Sequence, residues 1–508
     1  MGTTAPSTDG PATAGPSVAR FDPFAGPPHL HGAQRVGVRP GTELIHPLAA
    51  TGARPLRFEV TGLPDGLHVD AEGIVRGRAP AEAGTHRLEV SVANAEGRAH
   101  DVVELVVGEA LCLTPPLGWN SWNVYGAEVS AEVIVRTAEA MVATGLRDLG
   151  YQYVNIDDHW HAPRRARDGA PLAHPERFPD GIEPVARRVH QLGLKLGIYS
   201  DAAHLTCGRC FGGLGHEQVD ARAYAAWGVD LLKYDYCFAP SSGDEARARY
   251  GAMGDALRAT DRSIVLSVCE WGFRRPWRWA PEVGGALWRT TPDIFDTFSW
   301  SPFGVRHIAR RNLRLADHAG PGRWNDPDML LVGNRGRGAS TGVLRLPNQL
   351  PAPLRGRRIW RFRGLSDHQV HSHVTLWAMM AAPLLASHDL AASSELDLAL
   401  LTNPEVLAID QDPLGAQARK VRAPLGLWQL AKPLRDGGVA ISVTNLTRMR
   451  RRATVRIDRV AGAGHGPVPT SGRWHVRDAW EMRSLGERRQ VEVDLAGHGS
   501  TLVVCRPA

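Results

Sequence analysis

The sequence predicts a multidomain protein of α/β and all-β class, in which a central (β/α)8 barrel is flanked by two β-sandwiches. About eight short apolar runs alternate with helical patterns over roughly three hundred residues, an order typical of parallel barrels. No GxGxxG motif follows the first run, which favours a barrel over an open doubly wound sheet. Alternating apolar and polar runs without helices occupy both ends of the 508-residue chain. We therefore predict an N-terminal immunoglobulin-like sandwich, the barrel and a C-terminal antiparallel sandwich.

The N-terminal region divides into two parts by composition. Residues 1–28 are rich in Pro, Gly, Ser, Thr and Ala, which predicts a disordered tail because such a segment buries little apolar surface. Over residues 29–110, runs such as LRFEV and HRLEVSVAN are separated by turn signals such as LPDG. This pattern predicts a small antiparallel sandwich that resembles immunoglobulin-like or cadherin-like modules. Nothing in it indicates catalysis, so we expect a spacer or packing role.

Residues 111–415 carry the alternation of strands and helices that predicts the barrel. A helix is expected to begin near Ser130, with Ile134, Ala138 and Met141 on one stripe. The predicted strands lie in PLGWN, YVNID, LKLGIYS, VDLLKYD, IVLSV, ALWR, RWND and WAMMAAPLLAS. An arginine- and proline-rich insertion at 336–364 interrupts the barrel after its seventh strand, and we expect it to border the active-site mouth or an oligomer contact.

After residue 416 the helical patterns stop. Alternating runs such as GVAISVTNL, RATVRIDRV and RQVEVDL predict an antiparallel β-sandwich over residues 416–508.

Composition excludes several classes of function. The net charge of +6 comes from arginines scattered along the chain, and no nucleic-acid-binding motif is present, so we expect no nucleic-acid partner. No apolar run is long enough to span a bilayer, so no membrane partner is expected. The N-terminus lacks the features of a signal peptide, which predicts a cytoplasmic protein as written, or a secreted one if the start is misassigned. Cys207 and Cys210 form a lone CxxC without ligand histidines at zinc-finger spacing, and no metal site is predicted.

The segment Val229–Cys237, VDLLKYDYC, carries the strongest indication of a functional site. An apolar run that ends in polar residues is typical of a buried parallel strand whose carboxyl end meets a ligand. Strand alternation places Lys233 and Asp235 on one face, where the ammonium group favours the ionised acid. From this segment alone, a purely structural buried ion pair remains an alternative.

Other predicted strands also end in polar or aromatic residues. The carboxyl ends of barrel strands meet at one mouth, so these side chains are expected to converge there. In chain order they are Trp119, Trp122, Asp157, Asp158, Tyr199, Asp201, Lys233, Asp235, Glu270, Trp271, Arg289, Asp293, Asp326 and Asp328.

Many carboxylates with aromatic walls favour glycoside hydrolysis, which needs an ionised carboxylate, a protonated carboxyl and further acceptors for sugar hydroxyls. A divalent-metal site built from the same acids is the alternative. The embedded lysine and arginine weaken the field that a cation requires, so we expect no metal. No cofactor is expected either, because both half-reactions of glycoside hydrolysis need only two carboxyls and water.

The motifs resemble glycoside hydrolase family 27, the retaining α-galactosidases and α-N-acetylgalactosaminidases, in order and spacing over residues 113–415. They are TPPLGWNSWN, YVNIDDHW, LGIYSDAAHLTC, LLKYDYC, CEWG, WRTTPDI, WNDPDML, LWAMMAAPLLASHDL and AIDQDPLG. The resemblance implies Asp235 as nucleophile and Asp293 as acid/base, with Asp293 in a less compensated environment that raises its pKa.

The resemblance also implies the sugar contacts and one disulfide. Asp157 and Asp158 would bind the sugar 4- and 6-hydroxyls, and Trp122 would stack on the apolar face of the ring. The remaining substrate-binding residues that it implies are Tyr199, Lys233, Glu270, Arg289 and Asp328. Cys207 and Cys237 match positions that form a disulfide in the family, whereas His159 stands where many relatives have a second cysteine near the pocket.

We expect an exo-acting enzyme that hydrolyses terminal α-D-galactosyl residues. Because Asp158 is retained, galactose is favoured over β-L-arabinopyranose, which lacks the exocyclic hydroxymethyl group. Bulky neighbours of Glu270 in CEWG argue against an N-acetyl substituent. A β-L-arabinopyranosidase or another glycosidase of the same family, and an inactive carbohydrate-binding protein, remain alternatives, and a homo-oligomer is left open.

Overall fold

A computed structural model describes residues 15–336, 343–345, 358–361, 363–465 and 472–508. It confirms the predicted class, with a strand-rich N-terminal region, a parallel eight-stranded core and a C-terminal antiparallel sheet domain. Among the described residues, no helix is both long enough and apolar enough to cross a membrane.

The N-terminal region is a sandwich of two sheets that share one apolar core containing Val38, Val75 and Val90. One edge pair differs from the antiparallel prediction, because Arg35–Val38 runs parallel to Gly97–Val107. The four-stranded sheet has the order Arg35–Val38, Gly97–Val107, Gly84–Asn94, Arg57–Thr61. The three-stranded sheet has the order Glu43–Pro47, Ile74–Arg78, Leu67–Val69, and a further short pair joins His29–Leu30 to Ala50–Thr51.

The prediction of a disordered tail is wrong for residues 15–28, while residues 1–14 lie outside the described chain. The backbone N–H of Ala19 donates to the carbonyl of Trp480 at 2.9 Å, and Gly52 donates to Pro23 at 2.9 Å. Val18 and Phe21 pack against the main hydrophobic core. These two apolar side chains provide the burial that the average composition of the segment does not indicate.

The core of the molecule is a parallel barrel with strands β1 to β8 in chain order. They are β1 Leu117–Asn120, β2 Tyr153–Asn155, β3 Lys195–Asp201, β4 Leu231–Asp235, β5 Val265–Val268, β6 Gly285–Arg289, β7 Trp324–Asp326 and β8 Leu384–Ala386. Each strand pairs with the next, and β8 pairs with β1. A parallel bridge between Leu330 and Ala386, with a 2.8 Å hydrogen bond from Leu330 N–H to the Leu385 carbonyl, closes the remaining side.

Helices cover the outside of the barrel. Ser130 caps the second of them, since its hydroxyl accepts from the Val133 N–H at 3.3 Å. The helices are Trp122–Tyr125, Ala131–Ala143, Glu183–Gln191, Glu217–Trp227, Gly243–Arg258, Val305–Asn312, Asp367–Met379, Glu395–Leu401 and Pro404–Asp410.

Within the insertion at 336–364, the described strands Val343–Arg345 and Arg358–Arg361 pair in antiparallel fashion. Most of the segment lies outside the described residues, and the role expected for it stays a prediction.

The C-terminal domain packs a six-stranded sheet against a two-stranded one. The expectation that helices stop after residue 416 is wrong at one place, because Ile457–His465 is a helix. Ile457, Val460 and Ala461 are buried at the spacing of a helix. The strand predicted over RATVRIDRV therefore ends at Arg456, and the helix follows it. The strands of the larger sheet are, in spatial order, Arg419–Arg422, Leu427–Pro433, Val439–Asn445, Ser500–Pro507, Trp474–Asp478 and Arg483–Arg488. The smaller sheet pairs Arg451–Arg456 with Gln490–Leu495.

Candidate active site

Polar side chains gather at the carboxyl ends of the barrel strands. Parallel strands bring these ends to one mouth, which is where such barrels carry their sites. The catalytic and substrate-binding residues that the sequence assigns all lie within a strand or in the segment that directly follows it. They are Trp122 after β1, Asp157 and Asp158 after β2, Tyr199 in β3, Lys233 and Asp235 in β4, Glu270 after β5, Arg289 and Asp293 at and after β6, and Asp328 after β7.

Asp235 lies deep in this mouth, with only 5% of its surface exposed. The Tyr199 hydroxyl donates to its Oδ2 at 2.9 Å, and the Tyr236 N–H donates to Oδ1 at 3.0 Å. Burial raises the pKa of Asp235 to about 6, against the opposing effects of the Lys233 charge and the Tyr199 hydrogen bond. The negative charge of Asp293 also raises the pKa of Asp235.

Lys233 contacts Asp157 rather than Asp235. Its Nζ lies 2.7 Å from Asp157 Oδ2, and both side chains are largely buried. The Asn120 amide donates to the same oxygen at 2.8 Å. The predicted effect of Lys233 on Asp235 is present, since its charge lowers the pKa of Asp235, but burial outweighs it.

Asp293 lies at the rim, where its side chain is 49% exposed. Arg289 Nη2 lies 3.1 Å from Asp293 Oδ1 and 3.1 Å from Asp328 Oδ2, so one guanidinium group serves two carboxylates. The expected uncompensated environment of Asp293 is absent from the free protein, because the Arg289 cation lies beside it. Burial raises the pKa of Asp328 to about 6, with Arg289 opposing that shift.

Asp158 is held by the loop after β3. The Gly208 N–H donates to its Oδ2 at 2.7 Å and the His159 N–H donates to Oδ1 at 2.7 Å. The predicted disulfide is present between Cys207 and Cys237, which ties this loop to the residues just after β4. Trp122 is partly exposed and stacks on the His159 ring at 6.1 Å between centroids.

Glu270 is fully buried. Its Oε2 accepts from the Arg274 N–H at 2.7 Å, whereas Oε1 has no hydrogen-bond partner among the described residues. Burial raises the pKa of this carboxyl to about 7. An unpartnered buried carboxyl oxygen beside the pocket is an acceptor that a sugar hydroxyl can satisfy.

Two site residues have no role in the sequence prediction. Asn120 lies within the PLGWN motif, and the sequence marks Asp201 only as a polar strand end. Asp201 is fully buried, its Oδ2 accepts from the Cys237 N–H at 3.0 Å, and its Oδ1 has no partner in the described structure. Burial, followed by the charge of Asp235, raises the pKa of Asp201 to about 9.

Two groups of side chains within the described residues come close enough to share a cation. In the group of Asp201, Asp235, Cys207 and Cys237, the two sulfurs are bonded to each other and only the carboxylates remain as ligands. The other group contains Asp158, His161 and Cys210.

Comparison with known families gives matches over both the barrel and the C-terminal domain. The family model described as "Alpha galactosidase A" matches residues 114–347 and 358–412. The model described as "Alpha galactosidase C-terminal beta sandwich domain" matches residues 426–504.

Individual relatives extend this similarity. The α-galactosidase of Cyamopsis tetragonoloba is 38% identical over 416 residues, which cover 82% of this chain and 91% of the relative. Alpha-galactosidase 3 of Arabidopsis thaliana is 44% identical over 393 residues, which cover 76% of this chain and 82% of that relative. A crystal structure from Bacteroides fragilis superposes with a TM-score of 0.87 at 40% identity, covering 95% of this chain and 99% of that one. The crystal structure of α-galactosidase I from Mortierella vinacea gives a TM-score of 0.71 at 31% identity, and the match covers 79% of this chain and 98% of that one.

The matched family model spans more than half of the chain, and the matched relatives are covered over most of their length. The chain therefore belongs to the α-galactosidase family of glycoside hydrolases.

Proposed function

We propose that this protein is a retaining exo-α-galactosidase that removes terminal α-D-galactosyl residues by double displacement. The observation that carries the proposal is the pairing of a deeply buried carboxyl, Asp235, with a rim carboxyl, Asp293, whose charge acts on it. A buried nucleophile beneath a half-exposed proton donor suits one sugar ring, with the leaving group toward solvent.

In the first step, Asp235 attacks the anomeric carbon while Asp293 gives a proton to the departing glycosidic oxygen. In the second, Asp293 takes a proton from water, and that water displaces Asp235 from the anomeric carbon. Arg289, whose Nη2 lies 3.1 Å from Asp293 Oδ1, holds this carboxyl in position at the rim.

Sugar recognition is assigned to the acceptors around this pair. Lys233 and Asn120 fix Asp157, and Gly208 fixes Asp158, so both carboxylates are oriented before a sugar enters. Asp158 is the acceptor proposed for the exocyclic hydroxyl, which favours galactose over β-L-arabinopyranose. Trp122 supplies the apolar platform for the ring.

A panel of p-nitrophenyl glycosides that differ only in the sugar tests the proposal. We expect hydrolysis of the α-galactoside, at least tenfold preference over the β-L-arabinopyranoside and the α-N-acetylgalactosaminide, and first release of α-galactose by proton NMR.

Asp235→Asn is expected to lose at least a thousandfold in kcat while keeping its melting temperature. The matched control is Asp168→Asn, an exposed loop residue that accepts from the Ala170 N–H. Preference for the arabinoside would reassign the substrate, first release of β-galactose would refute retention, and binding without turnover would indicate an inactive carbohydrate-binding protein.

A further inference from the structure

His161 is a buried imidazole without hydrogen bonds in the described structure. Its side chain has no exposed surface, and neither ring nitrogen has a hydrogen-bond partner. Trp160 stacks on the ring at 4.1 Å and Phe211 meets it edge-on at 4.8 Å, so packing fixes its orientation. Buried polar groups are normally satisfied, and a ring held in this way with free nitrogens indicates an absent partner.

The atoms nearest to that ring are metal-binding types. His161 Nδ1 lies 3.7 Å from Asp158 Oδ1, and a ligand atom from each of Asp158, His161 and Cys210 lies within 4.8 Å of the other two. Cys210 Sγ also lies 3.8 Å from Nδ1 of His159. Cys210 is one of the four free cysteines. Carboxylate, imidazole and thiolate together form the mixed donor set that zinc and neighbouring transition-metal ions prefer.

We propose that Asp158, His161 and Cys210 form a three-residue site for a transition-metal dication such as Zn²⁺, with the fourth position left to a water molecule or another external ligand. Bond lengths of about 2.0–2.3 Å place the ligand atoms of a tetrahedral zinc site roughly 3.3–3.6 Å apart. The 3.7 Å between His161 Nδ1 and Asp158 Oδ1 needs to contract by only a few tenths of an ångström. A ligand atom of Cys210 lies within 4.8 Å of the other two, so it has to approach them by at most roughly 1.2 Å. Asp158 keeps lone pairs for a cation while it accepts from Gly208 and His159.

The two arginines near the proposed metal site, Arg165 and Arg177, each have a partner of their own. The Arg165 guanidinium lies over the Phe211 ring and pairs with Asp220, with contacts of 2.5 and 2.8 Å. Arg177 points its guanidinium to the carbonyl of His159. Metal coordination replaces the Cys210 proton, so the thiol enters the site as a thiolate.

The proposed metal site and the sugar pocket share Asp158. Metal binding is therefore expected to affect activity, an expectation that rests on the proposed function. A cation that holds Asp158 would remove an acceptor for the sugar. We therefore expect the metal ion to compete with substrate, raising KM more than it lowers kcat.

Binding is tested without reference to activity, on the untagged full chain. Equilibrium dialysis with Zn²⁺ should show one bound equivalent, and Co²⁺ should give the charge-transfer absorption of a cobalt–thiolate bond. Cys210→Ser should abolish that absorption, and both Cys210→Ser and His161→Met should weaken Zn²⁺ binding at least tenfold. The control is His204→Ala, an exposed histidine of the same loop, which should bind as the wild type does. His161→Met fills the buried space, and its melting temperature shows whether the fold is retained.

Failure of the wild type to bind, or a thiolate absorption that persists in Cys210→Ser, would overturn the proposal. The kinetic measurement is separate. If Zn²⁺ binds through these residues but leaves KM for the α-galactoside unchanged, the metal site stands and the role proposed for Asp158 in sugar binding fails. If KM rises in the wild type but not in Cys210→Ser, both are supported.

Discussion

The Lys233 ammonium group lies 2.7 Å from Asp157 Oδ2, although Asp235 is only two residues away on the same strand face. Asp235 instead takes its closest side-chain hydrogen bond from Tyr199. The cation thus fixes an acceptor proposed for the sugar, and the proposed nucleophile keeps a raised pKa.

This arrangement predicts that Lys233→Met both destabilises the protein and weakens catalysis. Removing one partner of a buried ion pair leaves an uncompensated charge, at a cost of about 3–5 kcal/mol. Adding Asp157→Asn should recover most of the lost stability but none of the activity, because the acceptor geometry is still absent. Thermal melts and kcat/KM for the α-galactoside check this. Full stability in Lys233→Met alone would show that the pair is not energetically coupled.

The pH dependence of kcat/KM should rise through about pH 6, because Asp235 must be ionised to attack and its pKa is raised to about 6. The hydrogen bond from Tyr199 lowers that pKa, so Tyr199→Phe should move the acid limb upward, by up to roughly one pH unit. Tyr151→Phe removes a buried hydroxyl that donates to the Leu401 carbonyl and serves as the control. An unshifted limb in Tyr199→Phe would mean that another group controls it.

The sequence is sufficient to predict the domain order and the strand ends that carry the site, because burial of parallel strands leaves a clear apolar pattern. It does not predict the partner of each charge. Lys233 and Asp235 are neighbours along one strand, but the contact between Lys233 and Asp157 depends on the register between strands and on the loop after β2. Likewise, the approach of Cys210 to His161 depends on how two loops fold, which no local pattern specifies.

Asp201 predicts a pH dependence of stability. Its pKa is about 9 in the folded protein and near 4 when unfolded, so between these values the folded state binds the extra proton. Stability contributed by that proton is present at low pH and is lost as pH rises, with a slope of at most about 1.4 kcal/mol per pH unit. Asp201→Asn mimics the protonated form and should flatten the fall of stability between about pH 5 and pH 8. Denaturant titrations at several pH values measure the slope, and an equally steep fall in the variant would contradict the assignment.

The Cys207–Cys237 disulfide should affect both stability and substrate binding. It closes a loop of 30 residues, for which chain entropy gives about 3–4 kcal/mol. The bridge also holds Gly208 next to Asp158, so Cys207→Ser with Cys237→Ser should lower the melting temperature and raise KM. Cys505→Ser, at a buried free cysteine of the C-terminal sheet, is the control. Lower stability with unchanged KM would restrict the disulfide to a structural role.

Asp296 links the insertion to the loop that carries Asp293. Its buried carboxylate accepts from the Leu365 N–H at 3.0 Å and from the Gly336 N–H, and these two residues lie at the two ends of the insertion. Asp296→Ala leaves two backbone donors without an acceptor, at about 1–3 kcal/mol each, so both the insertion and the Asp293 loop should loosen.

We expect faster tryptic cleavage within the arginine-rich stretch at 336–364, together with a several-fold loss of kcat that follows displacement of Asp293. Asp317→Ala removes an exposed acid that pairs with Arg419 at the surface, and it should change neither measurement. Faster cleavage with full activity would show that the hydrogen bonds of Asp296 to the insertion are not needed for catalysis. Unchanged cleavage would show that the two hydrogen bonds of Asp296 do not restrain the insertion.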